Sequence, residues 1–245
     1  MNTYRVAVLA CILTATTLPG MEKVTFPAAD GLAVTADLYL AHDKGAPFVI
    51  LFHQAGYSRG EYGQIAPRLN GLGFNALAVD QRSGGAAKGV MNETAALARA
   101  RGLRRGYLDA LPDLEAAIAW ARSSGNAAGR LVLWGSSYSA SLVLKLAGEQ
   151  PGLCDAVLAF SPGEYFSGRD FIAKSARGIT VPVFVTSAPG ERDDWAAIFE
   201  AIPSAAKSSF LPERGVHGSS TLWSETSGNE ASWKAVEAFL AGLPR

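Results

Sequence analysis

Five short apolar runs, at residues 47–52, 74–79, 131–134, 156–160 and 181–185, limit the fold of this chain more than any other feature. A strand with one wet face alternates apolar and polar residues. A strand that is apolar nearly throughout is covered on both faces, as in a parallel sheet sandwiched by helices. Residues 32–40 alternate only in part and read as a further strand. Helical stripes lie between and after these runs. Leu108, Leu111, Leu114 and Ile118 recur at spacings of three and four, as do Trp233, Val236, Phe239, Leu240 and Leu243. Both predict amphipathic helices packed on a core. Repeated strand–helix alternation predicts one α/β domain over residues 21–245, a doubly wound, mostly parallel sheet with helices on both faces. Its 245 residues suit such a core, and no repeat, charge block or long linker divides them. Residues 83–105 and 161–178 are the least regular stretches, and in such folds the connections at the carboxyl ends of strands build the binding site.

The first twenty residues read differently. A single cation, Arg5, precedes an apolar run at 6–13 and a small, polar stretch at 14–20. That order is the order of a secretory signal, and the run is too short to span a bilayer. Residues 1–20 are therefore expected to direct export to the periplasm or medium, whereas a start at Met21 would leave the protein in the cytoplasm. Loss of the segment removes Cys11 and leaves Cys154 as the only thiol, so no internal disulfide is expected. Cys154 precedes an apolar run and reads as a buried strand residue. Twenty-two basic residues balance twenty-two acidic ones. That balance gives no electrostatic footprint for nucleic acid or an anionic membrane.

The densest chemical signal is Leu131-Val132-Leu133-Trp134-Gly135-Ser136-Ser137-Tyr138-Ser139-Ala140, where an apolar strand runs through Gly-x-Ser-x-Ser into a helical stretch. A serine perched between strand and helix is the context of a nucleophile elbow. The turn demands small residues two places before and after the nucleophile. Gly135 and Ser139 fill those places around Ser137. Ser136 has Trp134 at the earlier one, and Ser139 lies deeper in the helix.

A serine hydroxyl needs a general base, usually histidine, and the chain has three: His42, His53 and His217. His42 sits in a polar turn and reads as a surface residue. His53 ends an apolar run, and the following Gln54-Ala55-Gly56 suits backbone donors better than a base. His217 lies late, between a short run at 208–211 and the last helix, where a loop can return over the serine. A carboxylate should orient the imidazole. Glu191, Asp193 and Asp194 follow the strand at 181–185. Asp193 and Asp194 sit at a helix start, where the dipole accounts for them. Glu191 is preferred and Asp193 is the alternative.

With these residues in place, the chain from Met21 onward resembles the α/β-hydrolase family, especially its small, lid-poor, dienelactone-hydrolase-like serine esterases. The resemblance rests on Gly135-Ser136-Ser137-Tyr138-Ser139, His53-Gln54-Ala55-Gly56, Asp80-Gln81-Arg82-Ser83-Gly84-Gly85 and His217-Gly218. The order Ser137, Glu191, His217 is that of α/β hydrolases and of neither chymotrypsin nor subtilisin. It implies little or no lid, and oxyanion N–H groups from Ala55 and Tyr138, each worth roughly 3–4 kcal/mol in the transition state. Gln54 replaces the family's usual glycine and could shift the first donor to its own N–H. Asp80 and Arg82 are expected to form a buried pair bracing residues 83–105. Tyr57, Tyr138 and Trp223 are candidate pocket walls. The expected activity is hydrolysis of a small carboxylic ester through an acyl-enzyme. Peptidase, thioesterase or acyltransferase chemistry, or ligand binding on a hydrolase scaffold, are the alternatives. No cofactor and no metal are expected, because the histidines have no ligand spacing.

Overall fold

The computed structural model describes residues 20–243. The expected signal segment and Cys11 lie outside the described residues, apart from Gly20. The chain runs β1 (Met21–Pro27), β2 (Ala33–Tyr39), β3 (Phe48–Phe52), α1 (Ile65–Gly71), β4 (Asn75–Val79), β5 (Ala86–Ala87), β6 (Val90–Met91), α2 (Glu93–Ala100) and α3 (Leu111–Ser123). It continues with β7 (Leu131–Ser136), α4 (Tyr138–Glu149), β8 (Ala156–Phe160), α5 (Phe171–Ala176), β9 (Val183–Thr186), α6 (Arg192–Ala201), β10 (Lys207–Phe210) and α7 (Asn229–Ala241). Eight strands form one sheet in the order β1-β2-β4-β3-β7-β8-β9-β10. The first two pairings are antiparallel and the rest parallel. The doubly wound expectation is met, with an antiparallel edge made by β1 and β2.

The apolar runs become strands whose two faces serve two different cores. Phe48, Ile50 and Phe52 of β3 join Leu131 and Leu133 of β7 on one face, beneath α3, α4, α5 and α6. Val49, Leu51, Val132 and Trp134 point the other way, beneath α1 and α7. Period-two alternation persists, but both sets are apolar because both faces are dry. One expectation fails locally: Leu108 is 40% exposed, and the buried stripe of α3 is Leu114, Ala117, Ile118 and Ala121. The irregular stretches hold small elements, the β5–β6 hairpin with α2 in one and α5 in the other. Cys154 is buried, just ahead of β8 rather than within it, and burial pushes its thiol up to about 12.

Register fixes where chemistry can occur. Phe52 pairs with Val79 and Gly135, Ser136 with Phe160, and Phe160 with Thr186. The strands therefore end on one line, and His53, Asp80, Ser137, Ser161 and Ser187 are the first residues past it. The chain order reverses between β3 and β7, which is the switch point where such sheets open a crevice.

Candidate active site

Ser137 occupies the junction of β7 and α4 with φ 60° and ψ −125°, a conformation that only glycine adopts freely. Its N–H donates to Phe160 O at 2.7 Å, extending the strand pairing by one residue into the turn. The turn is tight enough that a Cβ on Gly135 would lie 2.4 Å from Ala140 N and from Ser139 O. The demand for a small residue before the serine is therefore steric. Ser139 contributes more than smallness. Its hydroxyl donates to Phe52 O at 2.7 Å and accepts the Ser136 N–H at 2.9 Å, tying the turn to the end of β3.

His217 sits in the loop between β10 and α7. Its Nδ1 lies 2.7 Å from Glu191 Oε1. The other Glu191 oxygen accepts from Ser161 Oγ at 2.6 Å and from Ala188 N–H at 3.1 Å. Burial would raise the Glu191 carboxyl, but the bonds from His217 and Ser161 outweigh it and hold the group below its ordinary value. The bond to Glu191, against burial, raises the His217 imidazole above its ordinary 6.5. Asp193 and Asp194 stand exposed in the first turn of α6, the capping place expected of them. With Nδ1 engaged by Glu191, Nε2 is the ring nitrogen left for a reaction. Ser137 Oγ and the His217 ring form no hydrogen bond. The Tyr165 phenol, which donates to Ser161 O at 2.8 Å, lies against the Ser137 hydroxyl.

Neither Ala55 N–H nor Tyr138 N–H donates to another described residue. Gln54 N–H is already taken, at 2.8 Å, by the buried Glu61 carboxylate. That bond leaves the Gln54 N–H engaged, not free to replace that of Ala55. His53 is fully buried and its ring is held by Gln54 O at 2.8 Å and the Gln81 N–H at 3.0 Å. Burial pushes its imidazole down to about 4, so it is neutral and anchors the loop. His42 is exposed, with Nε2 on Asn70 O.

A cleft of about 430 Å³ opens beside His217 and Ala55, lined also by Gln54, Tyr57, Val216, Ser220, Trp223 and Thr226. Tyr57 and Trp223 stack with ring centres 6.0 Å apart and planes 6° apart. They form a pocket wall as expected. Tyr138 does not: its ring is buried beneath Tyr107, 4.7 Å between centroids. Asp80 and Arg82 are both buried but do not pair with each other. Asp80 takes Arg59 Nη1 at 2.6 Å, and Arg82 takes Asp113 at 2.7 Å and Asp30 at 2.6 Å. Both lie past the end of β4, in a loop that turns each side chain toward a different partner. Among the described residues, no group of three or more His, Cys, Asp or Glu is placed to hold a metal ion.

Residues 44–200 match the family model described as serine aminopeptidase, S33. The chain belongs to this family of α/β hydrolases. No curated protein matches its sequence significantly. Solved structures share the hydrolase's fold. A dienelactone hydrolase from Anabaena variabilis is 17% identical with a TM-score of 0.69, over 92% of this chain and 100% of that one. An esterase from Pyrococcus furiosus is 15% identical with a TM-score of 0.69, over 94% and 95%. Est1E from Butyrivibrio proteoclasticus, solved with ferulic acid, is 14% identical with a TM-score of 0.66, over 90% and 98%.

Several residues that build this hydrolase's site escaped the sequence reading. Ser161, with φ 52° and only 1% exposed, bridges Glu191 to the Gly218 N–H at 2.9 Å. Ser219 is held by Trp134 Nε1 at 2.9 Å, and its N–H donates to Ser136 Oγ at 2.8 Å. Isolated serines and a glutamate in a turn carry no pattern. Only the strand-end position of Ser161 was a usable signal.

Proposed function

We propose that this α/β hydrolase is a serine esterase acting on small carboxylic esters through an acyl-enzyme. The observation that carries the proposal is the lock around Ser137. The His217 loop is bonded to Ser136 on one side and to Ser161 on the other, with the imidazole on Glu191. In the proposed reaction Ser137 Oγ attacks the acyl carbon as its proton passes to His217 Nε2. Glu191 stabilises the imidazolium, and the Ala55 and Tyr138 N–H groups receive the oxyanion. The proton then goes to the leaving alkoxide, and water, deprotonated by His217, releases the acid and restores Ser137. The Tyr57–Trp223 wall suits an apolar substituent on the ester.

The family description favours a second reading, hydrolysis of peptide amides from a free amino terminus. Such a substrate carries an ammonium group that a carboxylate should receive, and no residue lining the cleft is a carboxylate. That favours the ester. Export through residues 1–20 belongs to the same proposal, and the N-terminal residue of protein recovered outside the cytoplasm tests it. The chemistry is tested with a fluorophosphonate probe. Wild type should label and Ser137→Ala should not, and equal labelling of both would end the proposal. Short-chain nitrophenyl esters compared with aminoacyl nitroanilides then separate the two substrate classes.

A further inference from the structure

One fully buried carboxylate beneath the site has no place in that mechanism. Glu61 lies in the one-turn helix Arg59–Tyr62 and is completely covered. Its Oε2 accepts the Gln54 N–H at 2.8 Å, and its Oε1 accepts from Ser136 Oγ at 2.8 Å. Ser136 Oγ in turn accepts the Ser219 N–H at 2.8 Å. The Glu61 carbonyl receives Trp223 Nε1, also at 2.8 Å. One side chain thus joins the loop after β3, the turn before Ser137 and the loop that carries His217. Contact among the three is close: a Cβ on Gly218 would stand 2.5 Å from Ser136 Oγ and 2.8 Å from Gln54 Oε1.

Resting on the serine-hydrolase reading, we propose that Glu61 is a positioning residue. It occupies the Gln54 N–H so that Ala55 alone presents a donor from its loop, and it holds His217 over Ser137 through Ser136. An ordinary structural carboxylate in such a place would be matched by a cation. Glu61 is matched only by neutral donors, and burial pushes it up to about 7 despite them. Its charge acts on His217, raising that imidazole together with Glu191 and, more weakly, Asp194 of α6. The remaining titratable groups that feel Glu61 are the Tyr62 and Tyr138 phenols, both buried and held in the neutral form. Gln54, Ser136 and Ser219 carry no charge.

Glu61→Gln keeps the shape but places an amide NH₂ where one N–H or O–H now points. Misplacing reacting groups by about 1 Å costs on the order of 100-fold. For Glu61→Gln, kcat on a nitrophenyl acetate should fall about 10- to 100-fold with KM within about twofold. The acid limb of its pH profile should also move to lower pH, since a charge that favours imidazolium is gone. Ser136→Ala removes the link to the His217 loop, so its kcat should also fall with KM within about twofold. Fluorophosphonate labelling separates the two levels of failure. If wild type labels no better than Ser137→Ala, the serine mechanism itself is wrong. If wild type labels through Ser137 while Glu61→Gln labels equally fast with an unmoved acid limb, Glu61 positions nothing. Should Glu61→Gln not fold, Ser136→Ala decides, and an unchanged labelling rate there overturns the proposal.

Discussion

Arg59 and Glu61 stand two residues apart on one helical turn, and their surroundings are opposites. Arg59 is surrounded by anions: Asp37 at 2.9 Å, Asp80 at 2.6 Å and Glu93 at 2.8 Å. Asp80 also takes the backbone N–H groups of Arg59 and Glu93, so the turn, the end of β4 and the start of α2 share one carboxylate. Glu61 is buried beneath the strand ends, where its donors are the Ser136 hydroxyl and the Gln54 N–H. Charge met by charge makes a scaffold whose loss costs several kcal/mol of stability. Charge met by dipoles leaves a group able to respond when another charge develops beside it. The same contrast separates Arg82 with Asp113 from His217 with Glu191 and Ser161.

That contrast can be broken by experiment. The largest effect expected is Ser137→Ala on the reactive side. Ester turnover should fall on the order of 10⁴-fold or more, with thermal unfolding nearly unmoved. Asp80→Asn, on the scaffold side, should do the reverse. Leaving Arg59 short of a buried partner costs about 3–5 kcal/mol in urea unfolding, with turnover per folded molecule within a few-fold of wild type. A stable but inactive Asp80→Asn protein would show that the two regions are not separate. Glu191→Gln should lower kcat about 10²-fold and shift the acid limb. The wild-type imidazole is raised above 6.5, so activity should appear as pH rises through a midpoint above that value. Without the carboxylate, deprotonation comes at lower pH and the midpoint should fall. A midpoint that rises or holds would remove Glu191 from the role. The smallest effect is on stability: Ser137→Gly, inactive like Ser137→Ala, relaxes a positive φ. Unfolding should become harder by about 1 kcal/mol, and a loss of stability would mean that the turn stores no strain.

Part of this was legible in advance. The apolar runs predicted the parallel strands because burial on both faces leaves its mark within five or six consecutive residues. The Ser137 turn was legible because strand, elbow and helix adjoin in sequence. His217 emerged because only three histidines exist, and Glu191 because few carboxylates follow β9. The pairing of Asp80 with Arg82 was misread. Closeness in sequence suggested it, whereas Asp80 meets Arg59 and Arg82 meets Asp113 across gaps of 21 and 31 residues. Leu108 was misread as core because its spacing fits the stripe of a helix that begins only at Leu111.

By itself, then, the sequence determined the layers, the strand order's parallel character and the residue types available for acyl transfer, since local burial and turn geometry are written in adjacent residues. Only the tertiary structure decided which carboxylate meets the imidazole, which backbone N–H is left free, and that Ser161, Ser136, Ser219 and Glu61 join the strand-end loops. All of those contacts but the Gln54–Glu61 bond span tens of residues of chain or more. A lone serine or glutamate has no periodicity to announce them until the strand ends are brought into line.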